Sequence, residues 1–299
     1  MPLHYRTARV DDLERAQALV ISSINDLTER HGFGPMAGVR PPYFQTFSLK
    51  DDPDGLWVAE EGDDIKGFAF SWVCDDLWFL AELFVSPDQQ GRGIGNELLR
   101  RTLQHAEKAG ATDKALITFT FNTVSQALYI RHGMYPRTPI YFFNVARDSL
   151  ADLPGEALRS VALEDTAANL ERLDRIDRQA LGVSRRKHHQ FLMADASIQG
   201  ALLHDRDECV GYTYVSAGGH VGPLAVTQRS ALGPAFSSAV RLAAARGAAQ
   251  VSAFLPGAAE AALSIAVQHG MRITFPMLLM SSREFGNWSQ YLPRNPGFM

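Results

Sequence analysis

The stretch Val85-Ser86-Pro87-Asp88-Gln89-Gln90-Gly91-Arg92-Gly93-Ile94-Gly95-Asn96-Glu97-Leu98-Leu99 places three glycines in five positions where an apolar run hands over to a helical pattern. Glycine loses more conformational freedom on folding than any other residue, so such a cluster needs a reason beyond a turn. Upstream, Leu77 to Val85 is aliphatic and aromatic apart from Glu82 and reads as a buried strand. Downstream, Leu98, Leu99, Thr102, Leu103, Ala106 and Ala109 share one helical face, and Gly110 stands where a left-handed cap is expected. The first turn of that helix has backbone N–H groups without intrahelical partners, and glycines at its mouth leave room for an anion to reach them. A diphosphate fits.

The rest of the chain bounds the answer. Its 299 residues suggest one large or two ordinary domains, and 46% hydrophobic against 21% charged residues describes a globular protein with ample core. A net charge of −4 argues against a dedicated nucleic-acid binder. The one basic run, Arg185-Arg186-Lys187-His188-His189, reads as a solvated surface. Two distant cysteines, Cys74 and Cys209, fit a reducing cytoplasm better than a disulfide framework, and the sequence shows neither a signal peptide nor a membrane span. The nine histidines are scattered without ligand spacing, so no metal is expected.

The chain also repeats itself. Arg6-Thr7-Ala8-Arg9-Val10-Asp11-Asp12 matches Arg159 to Asp165, Asp63 to Phe70 matches Asp207 to Tyr214, Leu83 to Ser86 matches Leu224 to Thr227, and His132-Gly133-Met134 returns as His269-Gly270-Met271. The order is kept throughout, but the second copy is shorter in the segment that holds the glycines. There it reads Thr227 to Pro234, with one glycine and a proline that removes a backbone donor. Each copy reads as α/β: strand, helix, a stretch of irregular or helical chain, three strands, helix, strand, helix and a closing hairpin-like pair. The first helix is expected to start near Asp11 with Glu14 completing a capping box, and Glu29 to Tyr43 to form a loop over a site. This gives a first domain at 1–147, a linker at 148–157 and a second domain at 158–299.

Two kinds of residue carry chemistry. Glu82 is the single charge in its apolar strand, where an unpaired carboxylate has a raised pKa and is poised as a base; pairing with an arginine or exposure at a splayed strand is the competing reading. The segment Asn122 to Gly133 reads as a helix opened by Asn or Thr and closed by glycine. Asn122, Ser125 and Tyr129 share one face, opposite an apolar face of Val124, Ala127 and Leu128.

A dinucleotide fingerprint and a P-loop are both excluded by spacing. What remains, Gln90-x-x-Gly93-x-Gly95 after a strand ending in Val-x-Pro, resembles the acetyl-CoA loop of the GNAT acetyltransferase superfamily, and Asn122 to Gly133 resembles its second signature. The resemblance is specific over residues 3–145 and rests on pattern and repeat over 158–283. It implies two tandem GNAT-like domains, each a mixed, mostly antiparallel sheet flanked by helices. It further implies acetyl-CoA as co-substrate, held by Phe84, Val85, Gln90, Gly91, Arg92, Gly93, Ile94, Gly95, Asn96, Asn122 and Ser125. Glu82 becomes the base and Tyr129 the acid that protonates the departing thiolate. In the second copy the repeat offset puts Ala259 opposite Asn122 and Ala266 opposite Tyr129, so loop and acid are lost together and that domain is expected to be structural or substrate-shaping.

The expected reaction is N-acetylation of a small-molecule amine by direct attack, in the cytoplasm, with neither nucleic acid nor membrane as partner. Mycothiol synthase-like acetylation, a non-catalytic acyl-CoA sensor and an interaction scaffold are the rivals. The acceptor and the oligomeric state, a homodimer included, stay open.

Overall fold

The computed structural model describes residues 3–150 and 158–299, so most of the expected linker, from 151 on, lies outside the described residues. Packing divides the chain into two units: Met1–Tyr135 with Met280–Arg283, and Pro136–Leu279 with Glu284–Met299.

The first unit runs β1 (His4–Thr7), α1 (Leu13–Arg30), α2 (Tyr43–Asp51), β2 (Leu56–Glu61), β3 (Asp64–Cys74), β4 (Leu77–Val85), α3 (Ile94–Ala109), β5 (Asp113–Phe119) and α4 (Thr123–Arg131). Its strands lie in the order β1-β2-β3-β4-β5, antiparallel except for the parallel β4/β5 pair. The apolar run read from the sequence is β4, and the stripe that follows is α3, closed by Gly110 at φ 70°. α3 can lie close on the sheet because Gly67 of β3 has no side chain: a Cβ there would stand 2.8 Å from Leu98 Cδ1.

The start of α1 differs from expectation. Asp11 and Glu14 form no capping box; a short 3-10 turn, Val10–Asp12, precedes the helix, and the Asp12 carboxylate takes the Arg9 backbone N–H at 2.8 Å. Arg6 binds both oxygens of that carboxylate, at 2.6 and 2.9 Å, and Arg15 adds a third contact at 2.9 Å. The hydrogen bond from Arg6 holds Asp12 below its usual range, and two arginines outweigh the local helix-start preference that favoured Asp11.

Gly55 ends the turn that leads into β2, and a Cβ there would lie 2.1 Å from the Ser71 carbonyl oxygen. Backbone cannot yield as a flexible side chain does, so Gly55→Ala is expected to destabilise the first unit by about 2 kcal/mol, read as a lower midpoint in urea. Ser71 also meets His105 Nδ1 at 3.1 Å, with Asp52 3.5 Å from the other ring nitrogen. Ser71 is fully buried, so this Ser-His-Asp grouping is packing and has no access to substrate.

The second unit contains β6 (Tyr135–Ala146, from Pro136 on), β7 (Arg159–Ala162), α5 (Ala167–Leu181), α6 (Arg186–Met193), β8 (Ile198–Asp205), β9 (Glu208–Ser216), β10 (His220–Val226), α7 (Leu232–Ala245), β11 (Gln250–Pro256), α8 (Glu260–Gln268), β12 (Arg272–Ser281, to Leu279) and β13 (Tyr291–Leu292). Its order is β12-β6-β11-β10-β9-β8-β7, with β13 beside β10.

No hairpin closes the first copy. Tyr135–Ala146 is a single strand that pairs antiparallel with β11 from Ile140↔Pro256 to Ala146↔Gln250. Phe143 and Val145 enter the core of the second unit, and Phe142 lies tilted against Phe254 and stacked on Phe275, with ring centroids 4.7 and 4.9 Å apart. The physical division therefore falls at Tyr135, ahead of the repeat boundary at 147.

Of the basic run only Arg186 is exposed, with Lys187 half-buried, so the expected solvated surface holds for a minority of it. Arg185, His188 and His189 are 0%, 1% and 1% exposed. Arg185 grips the buried Asp177 through Nε at 3.0 Å and Nη2 at 3.1 Å, and donates to Tyr212 OH at 2.7 Å, Tyr291 OH at 2.6 Å and the Met299 main-chain oxygen at 2.8 Å. His189 Nε2 meets Asp177 at 2.9 Å and its Nδ1 meets Tyr214 OH at 2.9 Å. Burial favours a protonated Asp177, yet the Arg185 charge and then His189 override it and hold the carboxyl far below the ordinary range.

Candidate functional site

β4 and β5 run side by side only from Leu77↔Asp113 to Leu80↔Leu116, whereas β4 keeps its β3 partner as far as Val85↔Gly67. A register shift in the β3/β4 ladder, between the Phe70 and Ser71 pairings, falls where β5 parts from β4. Beyond Leu80 one edge of β4 is therefore open toward β5. Ser86 N–H donates to Lys66 O at 2.9 Å, which fixes the phase of the antiparallel ladder. Phe84 and Glu82 then bond toward β3, and the backbone groups of Leu83 and Val85 face the opening. The Val85 carbonyl accepts from Ser23 Oγ at 3.4 Å and Gln90 Nε2 at 3.2 Å, as that phase requires. Of Phe84 and Val85, which the resemblance places with the coenzyme, the ladder engages the amide of Phe84 and leaves that of Val85 toward the opening, beside that of Leu83.

The opening leads to the mouth of α3. Gly91 and Gly93 have φ of 80° and 82°, a left-handed backbone that side chains rarely adopt, and a Cβ on either would meet no atom within 4 Å. The first intrahelical bond runs from Glu97 N to Gly93 O, so the N–H groups of Ile94, Gly95 and Asn96 lie ahead of the ladder. Gly95 has a different job, since its Cβ would touch Val85 Cγ2 at 3.6 Å where helix meets strand.

A cleft of about 500 Å³ joins these groups. Phe84, Val85, Gln90, Gly91, Gly93, Ile94, Gly95, Asn96, Asn122 and Ser125 all line it, together with Leu83, Ser23 and Phe121, which the sequence did not single out. Arg92 is not in the lining; its guanidinium turns to the Gln89 side chain. Asn96 Oδ1 lies 2.9 Å from His132 Nε2, tying the first turn of α3 to the end of α4. Burial, then Arg131 and Lys114, push the His132 pKa down, which favours the neutral ring in that contact.

α4 begins as expected, with the Asn122 side chain accepting from Ser125 N at 3.2 Å. Its faces differ from expectation: Val124 is 81% exposed and Tyr129 is buried. The helix turns Tyr129 inward because the aromatic ring offers more area to bury than Val124 or Ala127. Tyr129 stands behind the cleft wall, with its phenol hydrogen-bonded to the Ser125 side chain, and Ser125 is in the wall. Burial raises the phenol pKa far more than Ser125 lowers it, so the group stays protonated.

Glu82 is absent from the cleft lining as well. Leu83 and Val85 pack toward Ile94 and Leu98 of α3, and Glu82 faces the other side of β4, toward Gln45 of α2. Gln45 Nε2 donates to Glu82 Oε1 at 3.0 Å; Oε2 is buried without a hydrogen-bond partner among the described residues. Burial raises the carboxyl pKa, with Gln45 and then Arg40 pulling partly back. The environment of a base is thus present, and among the described residues no arginine pairs directly with it.

In the second unit the corresponding place is closed. β10 pairs with β11 only at His220↔Ser252 and Val221↔Ala253, and β13 then lies against β10 at Leu224↔Leu292 and Ala225↔Tyr291. Val226 N–H donates to Gln290 O at 2.9 Å. Gly233, in the first turn of α7, faces Ile265 and Ala261 of α8, with a Cβ at 3.3 and 3.4 Å from them. Ala259 is the N-cap of α8, as Asn122 is of α4, and Ala266 is buried where the repeat places Tyr129.

Among the described residues, no helix is long and apolar enough to cross a membrane, and no three His, Cys, Asp or Glu side chains cluster as metal ligands.

Comparison with known proteins agrees with this geometry. Residues 23–134 match the model of the Acetyltransferase (GNAT) family. An uncharacterized N-acetyltransferase of Archaeoglobus fulgidus is 32% identical over 114 residues, covering 35% of this chain and 74% of that protein. Of two further curated relatives the chain spans 45% and 33% of the length. Among solved structures, a Pyrococcus horikoshii protein superposes with a TM-score of 0.79 at 18% identity, over 99% of this chain and 96% of its own. A tandem GNAT protein from the clavulanic acid biosynthesis pathway gives 0.63 at 15% identity, over 94% and 98%. At such identities these two show the fold, and both span the duplicated chain.

Proposed function

Since the chain belongs to the GNAT acetyltransferase family, we propose that it is an acetyl-CoA-dependent N-acetyltransferase whose first unit acetylates the amine of a small molecule by direct attack. The observation that carries this is the continuity of one cleft from the open edge of β4 to the left-handed glycines and unpaired N–H groups of α3. The fit is chemical: a diphosphate needs convergent N–H donors without side chains in the way, and an amide-bearing arm needs a strand edge to pair with. Gly91, Gly93, Ile94, Gly95 and Asn96 supply the first; Leu83 and Val85 supply the second.

Bound acetyl-CoA supplies an acetyl group activated as a thioester. Glu82 Oε2 takes the proton of the acceptor ammonium, so that nitrogen gains the lone pair it needs to form the new C–N bond. An N–H on the open β4 edge stabilises the negative charge that builds on the carbonyl oxygen. As the C–S bond breaks, Tyr129 supplies the proton of the thiolate by way of the Ser125 hydroxyl in the cleft wall. The second proton lost by nitrogen on becoming an amide restores the phenol, and Glu82 returns its own to solvent. The second unit, with β13 against β10 and alanines in place of Asn122 and Tyr129, serves as a structural or substrate-shaping partner.

Titration calorimetry with acetyl-CoA, followed by free-thiol release across a panel of alkylamines, amino acids and aminoglycosides, tests the proposal. Binding with amine-dependent turnover supports it; binding without turnover across the panel points to an acyl-CoA sensor, and absence of binding sinks both readings. Gly93→Val should weaken acetyl-CoA binding by at least about tenfold, because the backbone at φ 82° disfavours a β-branched residue and its side chain would enter the space left for phosphate. Wild-type affinity in that variant would exclude the α3 mouth as the phosphate site.

A further inference from the structure

Glu82 does not stand alone. Gln45 Nε2 lies 3.0 Å from Glu82 Oε1 and also 3.0 Å from Gln17 Oε1. Gln17 and Gln45 are 5% and 8% exposed, and they come from α1 and α2, the two helices that flank the 31–42 connection. An amide nitrogen has two protons and both are engaged, one by each neighbour, so the orientation of the Gln45 amide is fixed from two sides. One oxygen of Glu82 is thereby held and the other, Oε2, is left buried and unpartnered among the described residues. A buried carboxylate oxygen without a donor is costly and signals a task. The charge acting on the carboxyl is Arg40, from the connection between α1 and α2; α1 and α2 present uncharged amides, and β3 places Phe70 opposite.

We infer that Gln45 is the positioning residue of the base: braced by Gln17, it holds Glu82 Oε1 and leaves Oε2 free to receive the acceptor's proton. This rests on the reading of Glu82 as base. The donor also favours the charged carboxylate, so it keeps the base usable near neutral pH although burial opposes ionisation. Activity rises as the base deprotonates. Losing the donor must therefore move the acid limb of the pH profile upward.

The test uses the full chain with 13C-labelled glutamate side chains, the Glu82 signal being assigned by its loss in Glu82→Gln. In Gln45→Leu the midpoint of the Glu82 titration is expected to move to higher pH, as is the acid limb of kcat/KM with the best amine of the panel. Turnover at neutral pH should fall about tenfold, and the alkaline plateau should stay within about twofold. Loss of packing alone would lower thermal stability and leave the titration in place, so an unmoved midpoint in folded Gln45→Leu overturns the inference. If that variant does not fold, Gln17→Leu releases the brace while keeping the donor and should shift the midpoint the same way by less; no shift there counts against the inference equally. Full turnover in Glu82→Gln would instead remove Glu82 as base, and the titration would still report whether Gln45 controls that carboxyl.

Discussion

Glu82→Gln is expected to lower kcat/KM for amine acetylation by about 10²–10⁴-fold, the range typical of a positioned general base. Acetyl-CoA affinity should stay within about twofold, because the groups assigned to the coenzyme lie on the open edge of β4 and at α3, and the Glu82 side chain is not in the cleft lining. The substitution keeps shape and the hydrogen bond from Gln45 can persist, yet the side chain can no longer accept a proton. The pH dependence provides a second check. In the parent enzyme kcat/KM should rise with pH through a limb above the ordinary carboxylate range, since burial raises the Glu82 pKa. In the variant that limb should be gone. A parent profile flat from pH 5 upward, or a variant that retains the limb, would assign the proton transfer to another group.

The second large effect concerns stability. Arg185→Met should destabilise the second unit by about 3–5 kcal/mol, the cost of breaking a buried ion pair by removing one partner. Asp177 would remain at 0% exposure without the guanidinium that now meets both its oxygens, and Tyr212 and Tyr291 would lose a charged donor. Hydrogen exchange at α5 and β9 in urea measures the loss within that unit. Replacing both partners, as Asp177→Leu with Arg185→Met, should recover much of it, because no uncompensated charge is then buried. A single variant that loses under about 1 kcal/mol would show that the pair is dispensable. Asp177 also sets the acid behaviour: its pKa is depressed, so its contribution is complete well above the free-carboxylate value of 3.8 and is lost progressively as pH falls below that value toward the depressed one.

What was legible in the sequence was local. An apolar run gives β4, a repeating stripe with a terminal glycine gives α3, and an asparagine ahead of Thr123 gives the cap of α4, because each is decided within a turn or two of chain. The parallel loss of glycines and tyrosine in the second copy was legible too, since an offset needs no coordinates. What was not legible depends on distant partners. Leu83 faces the open edge only because Ser86 bonds Lys66 and sets the phase. Gln17 and Gln45 are unremarkable glutamines until two helices bring them to one carboxylate. Arg185 resembles a surface charge because the residues that bury it, Asp177, Tyr212 and Tyr291, come from three other elements. Strand pairing is equally non-local, and Tyr135–Ala146 sits beside β11 for contacts that its own repeat could not announce.

β13 lies against β10 where the first unit leaves its strand edge bare, so the rear slot already has a permanent lodger made of its own polypeptide. A vacancy cannot be filled twice. Coenzyme titrated into the protein should accordingly saturate at one equivalent per chain along a simple hyperbola, and a duplicated gene will have yielded a molecule with a single counter for trade.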